Sequence, residues 1–267
     1  MIKVAVAGCA GRMGQRILWA LSESTRARLC AAFEIQAHRL VGHDSGIVAG
    51  LGENRVEIAD SVEAAADCDV LIDFTSPAST ETNIRFCLKH GISMVVATTG
   101  LSPAQKKLIN AASKKIAVVF APNMGVGINV LLSIVKKIAA VLGDSYDIEI
   151  IEAHHNQKKD APSGTALGLA EAAAAGLNIS LRDHAVYGRK GLVGARKKKE
   201  IGIHAVRGGD IIGEHSVIFA GPGEKIEVSH SVITRDVFAK GAVRAAEFLG
   251  SRKRGLFTMQ DVLKLPE

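Results

Sequence analysis

The sequence predicts an α/β protein in two parts, a doubly wound parallel sheet followed by a smaller α+β unit. Three observations carry this. Short apolar runs alternate with helix-forming stretches through the first half of the chain. A glycine-rich turn, Gly8-Cys9-Ala10-Gly11-Arg12-Met13-Gly14, directly follows the first apolar run. Beyond Gly127 the alternation gives way to a long apolar helix and then to strands with turn signals.

Lys3–Ala7 (K-V-A-V-A) reads as a buried parallel strand, and Gln15–Glu23 as the helix after the turn. Glycines spaced this way let the chain turn sharply, let backbone approach a pyrophosphate and let helix pack on strand. Leu29–Phe33 is a second strand, closed by Glu34 about twenty residues past the glycines, where a carboxylate accepts ribose hydroxyls. Strand, glycine turn, helix, strand and acid in that order predict a Rossmann-type dinucleotide-binding domain. The alternative is a tight turn in another α/β protein.

Val70–Phe74 is the next strand, followed by Thr75-Ser76-Pro77 as a cap for the helix Ser79–His90, with Gly91 as its stop. Ser93–Ala97 is a strand ending in Thr98-Thr99-Gly100, and Ser102-Pro103 starts a helix with a cap and a first-turn proline. Ala117–Ala121 is a strand ending in Pro122-Asn123-Met124-Gly125. In an open parallel sheet these strand ends line the ligand crevice. Phe74–Thr75, Ala97–Thr99 and Ala121–Met124 are therefore expected to wall a nicotinamide site.

Asn129–Leu142 follows as a long apolar helix, and Tyr146–Ile151 as a half-buried strand. The window Glu152–Thr165 (E-A-H-H-N-Q-K-K-D-A-P-S-G-T) leads into the helix Thr165–Ala175. Strand, polar loop and helix start present side chains and N–H groups to an anion, and imidazole and ammonium groups donate protons near neutral pH. A solvated charged loop is the bland alternative. Ile201–Val206 and Ile211–Ala220 flank Arg207-Gly208-Gly209-Asp210 and read as a hairpin. Lys225–Ile233 is one more strand, and Val237–Leu249 a helix packing back on the first domain. The expected domains are 1–125 with 236–267 for the dinucleotide and 126–235 for substrate binding and oligomerisation.

At 267 residues, 48% hydrophobic and 22% charged, the chain can build two cores. No apolar stretch is read as approaching membrane-spanning length, and the N-terminus reads as a strand, so a cytoplasmic protein without a membrane partner is expected. Cys9, Cys30, Cys68 and Cys87 lack metal-ligand spacing and read as buried reduced thiols, with no metal expected. The net charge of +6 resides largely in Arg189–Lys199, and only 4% of residues are aromatic, so a basic cleft for a small anion is favoured over nucleic acid.

G-C-A-G-R-M-G, D-F-T-S-P, A-T-T-G, A-P-N-M-G-V-G-I-N, E-A-H-H-N-Q-K-K-D-A-P-S-G-T-A and I-G-I-H-A-V-R-G-G-D together resemble the 4-hydroxy-tetrahydrodipicolinate reductase (dihydrodipicolinate reductase) family. The resemblance spans the chain from the first strand to the C-terminal helix. It implies reduction of a cyclic dicarboxylate by NADH or NADPH in the diaminopimelate route to lysine, in a cytoplasmic homotetramer. Gly8, Cys9, Ala10, Gly11, Arg12 and Met13 match its pyrophosphate loop, and Glu34 its ribose carboxylate. Ala97-Thr98-Thr99 and Ala121-Pro122-Asn123-Met124 match its cofactor-contacting strand ends, beside Phe74. His154 and Lys158 match its proton-transferring residues, and His155, Gly164 and Thr165 its substrate site. The Ser163-Gly164-Thr165 helix start is expected to hold substrate carboxylates. Lys159 is expected on the solvated surface, and Asp160 is expected to cap the turn, with orientation of a neighbouring cation as the alternative.

Two positions depart from the family pattern. Ala97 replaces a frequent glycine, and Ile35 stands where many members carry Arg or Lys after the acid. With His38 and Arg39 as the next basic groups, use of both cofactors with NADH at least as good as NADPH is expected. The rival readings are another nicotinamide-dependent dehydrogenase of aspartate-derived metabolites and a non-catalytic nucleotide sensor. The first, as a phosphorylating aldehyde dehydrogenase, would need a nucleophilic cysteine, and none lies beyond Cys87.

Overall fold

The structure, a computed structural model, describes residues 1–265. The chain runs β1 (Ile2–Ala7), α1 (Arg12–Ser22), β2 (Ala27–Phe33), α2 (Ser45–Val48), β3 (Ile58–Ala59), β4 (Val70–Asp73) and α3 (Pro77–His90). It continues β5 (Ser93–Val96), α4 (Pro103–Ser113), β6 (Ala117–Phe120), α5 (Val126–Leu142), β7 (Asp147–His154), α6 (Gly164–Gly176) and α7 (Leu181–His184). It closes with β8 (Ala185–Tyr187), β9 (Ile201–Arg207), β10 (Glu214–Gly221), β11 (Glu224–Ser231), α8 (Asp236–Leu249), β12 (Gly255–Phe257) and α9 (Met259–Leu263). Two compact units result, Met1–Val126 with Arg235–Lys264, and Gly127–Thr234. Leu265 groups with the second unit, and 266–267, the end of the expected first domain, lie outside the described residues.

The first unit is built on a parallel seven-stranded sheet in the order β3-β2-β1-β4-β5-β6-β12. Strand order reverses between β1 and β4, which opens a crevice at their carboxyl ends. Val4 and Val6 turn to one face with Ile17, Leu18 and Val243, while Ala5 and Ala7 turn to the other with Leu71, Ile84 and Ile109. Local signals set the helix ends. Ser76 caps α3 with Pro77 at its first turn, and Gly91 ends it at φ 72°. Ser102 and Gln105 cap α4 reciprocally. Helix α1 starts at Arg12, earlier than expected, with Gln15 N donating to Gly11 O at 3.0 Å. Cys9, Cys68 and Cys87 are buried, whereas Cys30 is partly exposed.

The second unit is a mixed five-stranded sheet in the order β11-β10-β7-β9-β8. The hairpin expected across Arg207–Asp210 does not form. Strand β7 lies between its two arms, parallel to β9 and antiparallel to β10. The link 208–213 is longer than a tight turn needs and bridges two strand spacings, about 10 Å. The real hairpin joins β10 to β11, with Gly221 opposite Glu224 and Gly223 at φ 84° in the turn. Ile148, Ile150, Val217 and Phe219 pack against Leu131 and Val135 of α5 and Leu169 of α6.

One further expectation is corrected. Val126–Ser145 is long and apolar enough, by length and composition, to cross a membrane. Lys136 and Lys137 interrupt it and hide its length from a search for an unbroken apolar run. Its buried residues Ile128, Leu131, Val135 and Ala139 recur every three or four positions and form one stripe of the second unit's core.

Candidate active site

In the first unit the glycine turn sits against the end of β4. Gly8 has φ 68°, and a Cβ there would lie 2.9 Å from Thr75 Cγ2. A Cβ on Gly14 would lie 2.1 Å from Gly8 O, so only glycine lets α1 start against the turn. Gly8 N donates to Phe33 O at 2.9 Å and Ala10 N to Glu34 Oε1 at 2.9 Å, which ties the turn to the end of β2. Arg12 and Met13 open α1, whose first N–H groups have no partner within the helix. Cys9 is buried, and burial followed by the nearby Glu34 charge pushes its thiol up to about 12. It contributes backbone and packing rather than a thiolate.

Asp73, at the end of β4, is fully buried and organises the neighbouring strand ends. Its Oδ1 accepts from Thr75 N at 3.0 Å, Thr98 Oγ1 at 3.0 Å and Thr75 Oγ1 at 2.5 Å, and its Oδ2 from Asn83 Nδ2 at 3.2 Å. Sequence reasoning missed this carboxylate. Its only signal was an acid in an otherwise apolar strand. Thr98 spends its hydroxyl on Asp73, and Ala97, Ala121 and Met124 point into the core, so these positions offer backbone to a ligand. Phe74 is half-buried, Thr99 and Pro122 are exposed, and Asn123 Oδ1 accepts from Gly125 N at 2.9 Å.

A cleft of ≈ 520 Å³ opens here, lined by Gly8, Gly11, Glu34, Ile35, Phe74 and Thr75 together with Asp60 and Glu63. The close glycine approach, the helix start and Glu34 fit a dinucleotide. Three carboxylates and no Lys or Arg line the cleft among the described residues, which suits a ribose with free hydroxyls better than one bearing a phosphate.

In the second unit β7 extends to His154, so Glu152 and His154 stand on the strand rather than in a loop. They share the inward face of Ile148 and Ile150, as alternate strand residues do. Glu152 is fully buried, with four donors on its two oxygens: Arg207 Nη1 at 2.7 Å, Arg207 Nη2 at 2.8 Å, Ser163 N at 2.9 Å and His154 Nδ1 at 2.6 Å. Burial works to raise its pKa, but Arg207, His154 and the Ser163 N–H outweigh it and hold the carboxyl below its usual range. An ionised carboxylate only accepts, so His154 Nδ1 carries the proton and Nε2 is its second nitrogen. Burial also lowers the His154 pKa, with Glu152 opposing.

His215 meets His154 edge-on at 5.2 Å between ring centroids, and its own pKa falls to about 4 through burial and then the His154 charge. Gly213 leaves room beside His154, since a Cβ there would lie 3.1 Å from Nε2. Ser163 is only 1% exposed. Its Oγ accepts from Ala166 N at 3.1 Å and meets His215 Nε2 at 3.1 Å, so its hydroxyl serves α6. Gly164 and Thr165 open that helix, and His155 is half-buried. Lys158 Nζ pairs with Asp160 Oδ1 at 2.9 Å, so Asp160 orients a cation instead of capping the turn. Lys159 is exposed, as expected.

The basic tract is not free either. Arg189 and Arg196 are both held by Glu149, at 2.9 and 3.0 Å, and Arg196 also by Asp147 at 2.7 Å. Lys199 likewise pairs with Asp144 at 3.1 Å, so much of the tract's charge is matched by acids of the same unit.

The dihydrodipicolinate reductase N-terminus family model matches residues 2–124, and the C-terminus model matches 127–263. The 4-hydroxy-tetrahydrodipicolinate reductase of Geotalea daltonii is 50% identical over 99% of this chain and 100% of its own, and that of Geobacter metallireducens 48% over the same shares. Among solved structures, the dipicolinate-bound dihydrodipicolinate reductase of Paenisporosarcina sp. TG-14 superposes with a TM-score of 0.74 at 25% identity, covering 98% of each chain. With both of its units matched and close relatives aligned end to end, this chain belongs to the dihydrodipicolinate reductase family.

Proposed function

We propose that the protein reduces 4-hydroxy-tetrahydrodipicolinate to tetrahydrodipicolinate with NADH or NADPH, in the diaminopimelate route to lysine. End-to-end kinship with reductases of that name supports it, and a dipicolinate-bound relative supports a cyclic dicarboxylate as the substrate class. The single observation that carries the chemistry is that carboxylates hold both His154 and Lys158 in the second unit. An imidazole has its tautomer set by a buried carboxylate, and an ammonium group is held four residues later.

A bound NADH or NADPH would supply the hydride, for the conjugated imine that forms once the 4-hydroxyl leaves as water together with a neighbouring ring proton. The chain's residues do the rest. Lys158 Nζ delivers the proton that neutralises the charge developing on the substrate, or His154 does so once its free Nε2 has taken up a proton and the ring is an imidazolium. The start of α6 at Gly164–Thr165 and the His155 side chain receive carboxylates, with N–H groups and helix dipole favouring anions there. Glu34 would accept from the ribose hydroxyls, and the turn Gly8–Met13, which brings Gly8 and Gly11 to the cleft, would hold the pyrophosphate. A homotetramer in the cytoplasm belongs to the same reading, and sedimentation and cell fractionation test it.

The experiment is loss of reduced-nicotinamide absorbance with freshly generated substrate. His154→Gln and Lys158→Ala should each lower kcat by roughly 10²–10⁴-fold with little change in nucleotide affinity. Near-wild-type turnover in both variants would overturn the assignment.

A further inference from the structure

We propose that Arg207 is a positioning residue that sets both proton-handling side chains at once, His154 through Glu152 and Lys158 through the Asp160 segment. The proposal rests on the roles given above to His154 and Lys158. Arg207 ends β9 opposite His154 in the parallel ladder. Its guanidinium spreads two parallel hydrogen bonds over Glu152, at 2.7 and 2.8 Å, a geometry only a planar fork makes. The same Nη2 donates to Asp160 O at 2.7 Å. Asp160 in turn holds Lys158 Nζ at 2.9 Å. One guanidinium thus touches the carboxylate that orients the imidazole and the backbone of the residue that orients the ammonium group.

Each link is needed for a physical reason. Glu152 has no exposed surface, so an unpaired charge there would be costly, and among the described residues Arg207 is its one permanently charged partner. With Glu152 ionised and fixed, the His154 proton resides on Nδ1. Without Arg207, Glu152 must bind a proton or swing away, and either change frees His154 to adopt the other neutral tautomer. On the far side, the loop after β7 loses its tether at Asp160 O, and Lys158 moves with it. The turn itself is fastened elsewhere, by Gly208 N to His154 O at 2.9 Å and Asn156 N to Gly209 O at 3.2 Å. Arg207 therefore acts on side-chain aim more than on the path of the chain. Glycines fill 208 and 209, so no neighbouring side chain in that turn can take over its contacts.

The test uses the full chain with Arg207→Lys and Arg207→Ala. Lysine retains a positive charge against Glu152 but cannot bridge both oxygens and Asp160 O. We expect Arg207→Lys to fold, to keep the wild-type KM for NADH, and to lose kcat by about tenfold or more, as small misplacements of reacting groups do. Nitrogen-15 NMR of His154 should change from a single Nδ1–H tautomer to a mixture. Arg207→Ala should behave likewise or worse. If it fails to fold, the Lys variant still decides. A kcat within about twofold of wild type in Arg207→Lys, with His154→Gln and Lys158→Ala crippled, overturns the inference. An unchanged His154 tautomer overturns it as well, and does so even if His154 and Lys158 prove dispensable, because the NMR signature does not depend on turnover.

Discussion

Glu149 offers a measurement of how firmly the basic tract is held. Its carboxylate receives Arg189 at 2.9 and 3.0 Å, Arg196 at 3.0 Å and His204 at 2.7 Å, with 21% of the side chain exposed. Burial opposes ionisation, yet these donors draw its pKa from 4.5 to about 2. A drop of that size corresponds to at most about 3 kcal/mol. The arginines reach solvent and are screened, which leaves about 1–2 kcal/mol. Because the folded-state value lies below the unfolded one, the contribution is complete above 4.5 and is lost as pH falls through about 2. Glu149→Gln keeps the shape and removes the charge. Urea unfolding should show it about 1–2 kcal/mol less stable than wild type near neutrality, with the gap roughly halved by about pH 3 and smaller in high salt. A gap that stays constant with pH would refute the ionic account, and no gap at neutrality would refute the network's contribution altogether.

The acidic lining at Glu34, Asp60 and Glu63 predicts kcat/KM for NADH at least equal to that for NADPH, with Asp60→Asn and Glu63→Gln together raising NADPH use. A tenfold preference of the wild type for NADPH, abolished by Arg39→Ala, would shift the explanation to that arginine. Gly14→Ala places a methyl 2.1 Å from Gly8 O and should weaken nucleotide binding by more than about tenfold in calorimetry, whereas unchanged affinity would show that the turn can yield. Phe219→Ala removes a fully buried ring from the second unit and should lower unfolding free energy by about 3–5 kcal/mol, and a loss under about 1 kcal/mol would mean the core collapses around the gap.

The first unit was legible because each of its signals is local. A five-residue apolar run, a glycine turn, Ser102 before Pro103 and Gly91 after His90 all act within a few residues of where they stand. The second unit hid its pairing because strand neighbours are chosen by the core. Nothing near Arg207-Gly208-Gly209-Asp210 announces that β7, some fifty residues earlier, inserts between the two arms. The site shows the same division. His154, His155 and Lys158 stand out by their own chemistry in one window. Glu152 shows no role in that window, because its role depends on Arg207, which arrives from another strand, and on the Ser163 N–H at the start of α6. Short pieces such as β3, β8 and β12 gave too little periodicity to register.

The central place of β7 also bears on how the protein is made. Ile148 pairs with Ile201 and Glu152 with His215, so the strand that carries the imidazole has no sheet neighbour until residues far downstream have been synthesised. The dinucleotide unit is likewise incomplete until Arg235–Lys264 has followed. Long-range pairing of this kind slows folding and leaves strand edges bare in the meantime. A nascent chain stopped before β10 therefore holds every residue from Met1 to Lys158, including His154 and Lys158, yet lacks the antiparallel neighbour that flanks β7. Its vulnerability to proteases and to self-association should end abruptly once the last strands leave the ribosome.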